Sequence, residues 1–166
     1  MKNKVKIYDW TDIDKIINTY STQLLRLAYS YTYSLEDAED IVQDVFIKFA
    51  ANSNFHSEEH IKAWLIRVTI NECINLNKSA HKTKQTYLDY DILPKEEDSI
   101  DLMPYLSKLS DKYKAVLYLY YFEEYDVEYI AKLLDKRISS IYTMLDRGRK
   151  QLKILLEKEG FNNEDW

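Results

Sequence analysis

Residues 126–158, DVEYIAKLLDKRISSIYTMLDRGRKQLKILLEK, decide the fold. Asp126 is a typical helix N-cap, and Ile130, Ala131, Leu133 and Leu134 give the stretch from Val127 to Leu134 one apolar face. Asp135, Lys136 and Arg137 interrupt the pattern. Ile141, Leu145, Leu152 and Leu155 restore it at helical spacing from Ile138 to about Lys158. A short helix, a three-residue turn and a longer helix with a basic, polar side have the proportions of a helix-turn-helix, whose second helix enters the DNA major groove. Its turn usually prefers Gly. Here Asp135 has to occupy it, and Asp visits the left-handed region more readily than most residues. The exposed face offers Arg137, Ser139, Ser140, Tyr142, Thr143, Asp146 and Arg147, whose hydroxyls and guanidinium groups can reach base edges or phosphates. An ordinary helical hairpin with a solvated basic face would show the same pattern.

The rest of the chain agrees with an all-α fold. Two glycines and two prolines in 166 residues leave few of the turns that strands require. No run approaches the roughly 20 apolar residues of a membrane span, and the start MKNKVKIYDW lacks the apolar core of a signal peptide, so a cytoplasmic protein without membrane insertion is expected. The single Cys73 sits in an apolar helical pattern and reads as a small buried hydrophobe. A net charge of -5 argues against a generic nucleic-acid binder, but the charge is segregated. Lys132 to Lys153 carries seven basic residues against Asp135 and Asp146, and Lys62 to Lys84 carries five against Glu72. Acid is concentrated from Glu36 to Asp44 and from Asp89 to Asp101, which implies several distinct surfaces.

Three helices are predicted before the hairpin region. The first runs from about Asp12 to Tyr33 behind a Thr11/Asp14 capping box, with Ile16, Tyr20, Leu24, Leu27, Ala28 and Tyr31 on one side. The second begins after Ser34 and buries Ala38, Ile41, Val42, Val45, Phe46 and Phe49, fading between Asn52 and Phe55. Ser57 caps the third, Glu58 to about Ala80, which is apolar around most of its girth. Gln85 to Pro104 shows no sustained period, holds both prolines and is acidic. It reads as a linker between two small helical domains, at residues 1–84 and 105–166. Past it come a turn at Tyr105 to Leu109 and a helix from Asp111 to about Glu123 capped by Ser110.

Two further surfaces stand out. Arg67, Asn71, Asn75 and Lys78 share one stripe of the third helix, with Lys82 and Lys84 beyond it. Trp64, a turn earlier, could stack on an unpaired base or fill the core. Asp37, Asp40 and Asp44 line the second helix beside Gln43 and Ile47; with no His nearby they suit docking to a basic protein surface, or they are simply solvated. His56 and His60 have the spacing of zinc ligands, yet HSEEH lacks the HExxH order and a clear third ligand, so no metal is expected. With no phosphate-cradling loop or catalytic triad order, no cofactor, no small-molecule substrate and no bond chemistry are expected.

LRLAYSYTYSLEDAEDIVQDVFIKFA followed by HIKAWLIRVTINECINLNKS resembles region 2 of bacterial RNA polymerase sigma factors of the extracytoplasmic-function group. LSKLSDKYKAVLYLYYFEEYDVEYIAKLLDKRISSIYTMLDRGRKQLKILLE is similar to their region 4. The two cover about four fifths of the chain in the family's order. The resemblance implies that Asp37, Asp40, Ile41, Gln43, Asp44 and Phe46 dock on the polymerase clamp helices. It implies that Trp64, Arg67, Asn71, Asn75 and Lys78 recognise and help melt the -10 element, and that the residues named on the last helix read the -35 element. Core RNA polymerase, promoter DNA and an anti-sigma protein are the partners it implies. Relatives often carry Arg where Met144 stands, and a denser Arg cluster near Asn75. The competing readings are a helix-turn-helix regulator acting without polymerase and a helical adaptor.

Overall fold

The computed structural model describes residues 10–52, 54–79 and 101–162, and every regular element among them is a helix. These are α1 (Trp10–Thr32), α2 (Leu35–Ala51), α3 (Glu58–Ser79), α4 (Met103–Ser107), α5 (Asp111–Tyr121), α6 (Val127–Leu134) and α7 (Ile138–Lys158). The linker predicted from Gln85 lies outside the described residues as far as residue 100, as do Lys82 and Lys84.

Local chemistry explains most helix ends. Ser34 is extended and its hydroxyl accepts the Asp37 N–H at 3.2 Å, opening α2. Ser57 Oγ accepts from His60 N–H at 3.1 Å in front of α3, and Asp126 accepts from Tyr129 N–H at 2.7 Å in front of α6. Two expected caps are corrected. Thr11 lies inside α1, which starts a residue earlier, and Ser110 makes no side-chain cap to α5. The helix expected to reach Glu123 stops at Tyr121, because Glu124 turns the chain with φ 55° and Tyr125 N–H bonds back to the Leu119 carbonyl at 3.1 Å. α4 begins at Met103, within the stretch read as irregular, with proline in its first turn.

In the first group α1, α2 and α3 pack on one another; in the second α5 packs against α7, and α6 against α7. The apolar faces meet in one continuous core, from Ile16 on α1 to Leu156 on α7. α3 is apolar around most of its girth because it has three neighbours: α1 and α2 in the first group, α6 in the second. Met103 and Leu106 of α4 are fully buried, and this short helix lies against α1, tying the second group to the first. Cys73 is buried as expected, and burial pushes its thiol pKa up to about 12.

Candidate nucleic-acid and polymerase interfaces

The turn between α6 and α7 has the geometry its sequence demands. Asp135 adopts φ 53° and ψ 51°, in the left-handed region. Lys136 N–H bonds to the Ala131 carbonyl at 2.9 Å and Asp135 N–H to that of Lys132 at 3.3 Å, the paired bonds of a Schellman helix end. Ala131 and Ile141 are buried, so α7 is fixed across α6 by packing. Gly148 sets the separation of α5 from α7: a Cβ there would stand 2.9 Å from Leu117 Cδ1 and 3.2 Å from Tyr113 Cβ.

The opposite face of α7 is open. Arg137, Ser139, Tyr142, Thr143, Asp146 and Arg147 are exposed and Ser140 is half-buried. Tyr142 is 56% exposed, so a large aromatic stands in solvent where a groove could receive it. Thr143 Oγ1 donates to the Ser139 carbonyl at 3.0 Å, and Asp146 pairs with Lys150 at 2.9 Å. Lys112 lies over the Tyr113 ring at 4.9 Å; its ammonium, and then the Arg147 guanidinium, hold the Tyr113 hydroxyl below its ordinary pKa.

On α2 the structure divides the expected docking residues. Asp37, Asp40, Gln43 and Asp44 are exposed together with Ile47, while Ile41 and Phe46 are buried and face the core. On α3, Asn71, Asn75 and Lys78 are exposed and Arg67 is half-buried. Trp64 is half-buried in an aromatic cluster, edge-on to Phe55 with centroids 5.5 Å apart and 6.2 Å from Phe49. His56 and His60 stack on each other, and His60 Nδ1 accepts the His56 N–H at 3.3 Å, so the pair organises the start of α3. Among the described residues no three His, Cys, Asp or Glu side chains are grouped to hold a metal ion, and no helix is long and apolar enough to cross a membrane.

A cleft that no motif in the sequence marks lies between the two groups. It encloses about 310 Å³, with Arg67, Asn71, Ile70 and Ile74 of α3 on one wall. Lys112, Val116, Lys136 and Met144 stand on the other. Polar contacts also join the two groups. Lys62 Nζ lies 4.6 Å and 5.0 Å from the ring centres of Tyr125 and Tyr129 and bonds to Tyr129 Oη at 3.0 Å; that hydroxyl donates to Glu59. Gln23 donates to Glu123 and to Tyr125 Oη at 3.0 and 2.9 Å. Lys114, almost fully buried, pairs with Asp111 at 3.0 Å and donates to the Tyr31 carbonyl at 3.3 Å, which compensates its lost hydration. Asn77 donates to Asp111 at 3.2 Å. In the sequence Gln23, Lys62, Tyr125 and Tyr129 each read as ordinary surface.

Comparison with known proteins identifies the family. Residues 16–83 match the Sigma-70 region 2 family model and residues 100–152 match Sigma-70, region 4. These two regions, in this order on one helical chain, define a sigma factor of bacterial RNA polymerase, the subunit that binds core enzyme and directs it to promoters. RNA polymerase sigma factor YlaC of Bacillus subtilis (strain 168) is 30% identical over 156 residues, 85% of this chain and 90% of that protein. ECF RNA polymerase sigma factor SigM of the same organism is 30% identical over 166 residues, 92% and 99% of the two chains. The chain belongs to the extracytoplasmic-function group of these factors. A solved structure of the sigma factor RpoE in complex with the anti-sigma factor NepR from Bartonella quintana shares the fold, with a TM-score of 0.66 at 23% identity over 89% of this chain and 98% of that one. The region 2 match disfavours a regulator that acts without polymerase.

Proposed function

We propose that this sigma factor works through three separate faces on a body that must open. Residues 1–84 form the unit that holds core polymerase and the -10 element, 85–104 the acidic linker, and 105–166 the unit that reads the -35 element. Asp37, Asp40, Gln43 and Asp44 make the polymerase contact, while Ile41 and Phe46 fix that helix from beneath. Trp64, Arg67, Asn71, Asn75 and Lys78 serve the -10 element; Arg137, Ser139, Ser140, Tyr142, Thr143, Asp146 and Arg147 serve the -35 element. The protein has no bond chemistry of its own, acts in the cytoplasm with the polymerase, and is bound by an anti-sigma protein, as RpoE is in its complex with NepR.

The observation that carries the reading is the cleft, where Arg67 and Asn71 face Lys112, Lys136 and Met144. Elements centred on -10 and -35 are about 25 base pairs apart, which at roughly 3.4 Å per pair is on the order of 85 Å. Helices that line one cleft cannot serve both elements at once. The linker, stretched, spans on the order of 60 Å, enough to let the units part on the polymerase surface.

The docking assignment is tested by Asp40→Lys combined with Asp44→Lys. Both positions are exposed, so helical content by circular dichroism should be unchanged while co-purification with core polymerase is lost. Retained polymerase binding would remove α2 from the interface.

A further inference from the structure

Arg149 takes no part in the assignments above, and its setting on α7 is unlike that of the neighbouring lysines Lys150 and Lys153. Lys150 is paired with Asp146 at 2.9 Å and Lys153 with Glu157 at 3.9 Å. Arg149 has no carboxylate partner among the described residues. Its neighbours are aromatic. Nε donates to Tyr121 Oη at 2.7 Å, and the guanidinium carbon lies 5.1 Å from the Tyr120 ring centre and 5.7 Å from that of Tyr121. The two rings are set edge to face, 5.1 Å apart, at the end of α5.

This arrangement orients the group without neutralising it. A guanidinium has five N–H donors; the single one on Nε is engaged by Tyr121, and Tyr120 also interacts with the group, which leaves terminal N–H donors of the planar fork for an anion. Such a fork matches two oxygens of one phosphate. The two rings beside it limit side-chain rotation, which lowers the entropy cost of ordering a long side chain on an anion. Tyr121 itself is 42% exposed, a large aromatic left in solvent for which core packing gives no account.

Position along the helix fits a groove wall. Arg149 follows Tyr142 by seven residues, two turns on the same side, about 10 Å further along the axis. The major groove is about 12 Å wide, so with the beginning of α7 at the base edges, a residue that far down the helix meets the sugar-phosphate backbone.

We propose that Arg149, braced by Tyr121 and Tyr120, is a phosphate clamp that anchors α7 on the promoter strand beside the bases it reads. The proposal rests on the assignment of α7 to the -35 element. Tyr121 is a positioning residue; Arg149 makes the contact.

The test uses the full chain assembled with core polymerase, binding a promoter fragment on which that holoenzyme initiates, across a salt series. Arg149→Ala should weaken binding about tenfold on every promoter variant alike and make the slope of log K against log salt shallower by about 0.9, the value of one released counterion. Arg149→Lys should restore the slope but not the affinity, and Tyr121→Phe should weaken binding about threefold by freeing the fork. Arg147→Ala is the control for α7 itself. If it reduces promoter-specific binding while Arg149→Ala leaves the slope untouched, the clamp is wrong and the α7 assignment stands. A lowered melting temperature for Arg149→Ala with no change of slope also overturns the clamp, since Arg149 would then only hold α5 to α7. If Arg147→Ala and Arg149→Ala both leave binding unchanged, the assignment of α7 fails and the clamp falls with it.

Discussion

Among the described residues three besides glycine take the left-handed conformation that glycine normally supplies: Tyr33 at φ 47°, Glu124 at 55° and Asp135 at 53°. Asp135 was legible in the sequence, because an interrupted apolar period between two helices leaves one place for the turn and Asp tolerates it. Tyr33 and Glu124 carry no such mark, so the helix ends beside them were read a residue or two too long. The strain has a measurable size. Asp135→Gly should stabilise the protein by about 0.5–1 kcal/mol, the relief of the left-handed Cβ outweighing the looser unfolded chain, as read by urea denaturation. A destabilised variant would show that the Asp carboxylate does more at that turn than its backbone requires. Gly148 is the reverse case. In the sequence it is only a weak helix former, whereas in the structure it is where α5 and α7 touch, with 2.9 Å between a would-be Cβ and Leu117. Gly148→Val should therefore cost about 1–3 kcal/mol through overpacking, despite the better helix propensity of valine. Unchanged stability would mean that Leu117 can move aside without loss.

At the scale of helices, period and caps carried most of the information. α6 and α7 begin where the apolar face and the Asp126 cap place them, and α2 begins behind Ser34. Ser110 looks like the same signal, but its side chain makes no bond to α5, because a hydroxyl beside a helix start does not fix its own rotamer. The faces of α2 were equally readable: a helix whose core side is Ala38, Ile41, Val42, Val45, Phe46 and Phe49 must turn Asp40, Gln43 and Asp44 outward. The cap and the acidic face are separable by experiment. Ser34→Ala removes the bond to Asp37 N–H and should lower stability by about 1 kcal/mol in denaturant unfolding, while polymerase binding under native conditions stays intact. Loss of polymerase binding in a folded Ser34→Ala protein would mean that the start of α2 is part of the docking surface and more than its support.

What the sequence concealed is how the two groups meet. Gln23, Lys62, Tyr125 and Tyr129 are polar or amphipathic, fall on no apolar period, and give no signal until both groups are folded. The same composition makes the contact reversible. A lysine over two tyrosine rings is worth on the order of 0.5–2 kcal/mol, and the surrounding hydrogen bonds can be exchanged for water, so what polymerase binding has to offset is chiefly the apolar core the two groups share. Lys62→Ala with Tyr129→Phe should shift the free protein toward an open form. The measurement is the separation of dyes on cysteines introduced at Asn75 and Lys150, both exposed. Cys73 does not interfere, because burial that raises its thiol pKa to about 12 keeps it protonated and shielded at neutral pH. In the unsubstituted background the dyes should be close in the free chain and move apart by tens of ångströms when core polymerase is added, toward the roughly 85 Å that separates the two promoter elements. The latch variant should show part of that separation without polymerase, and bind promoter fragments more readily once assembled. An unchanged separation on polymerase binding would overturn the opening step; a closed free form in the latch variant would instead assign the closure to α4, whose Met103 and Leu106 are buried in the shared core, and to the buried Lys114–Asp111 pair.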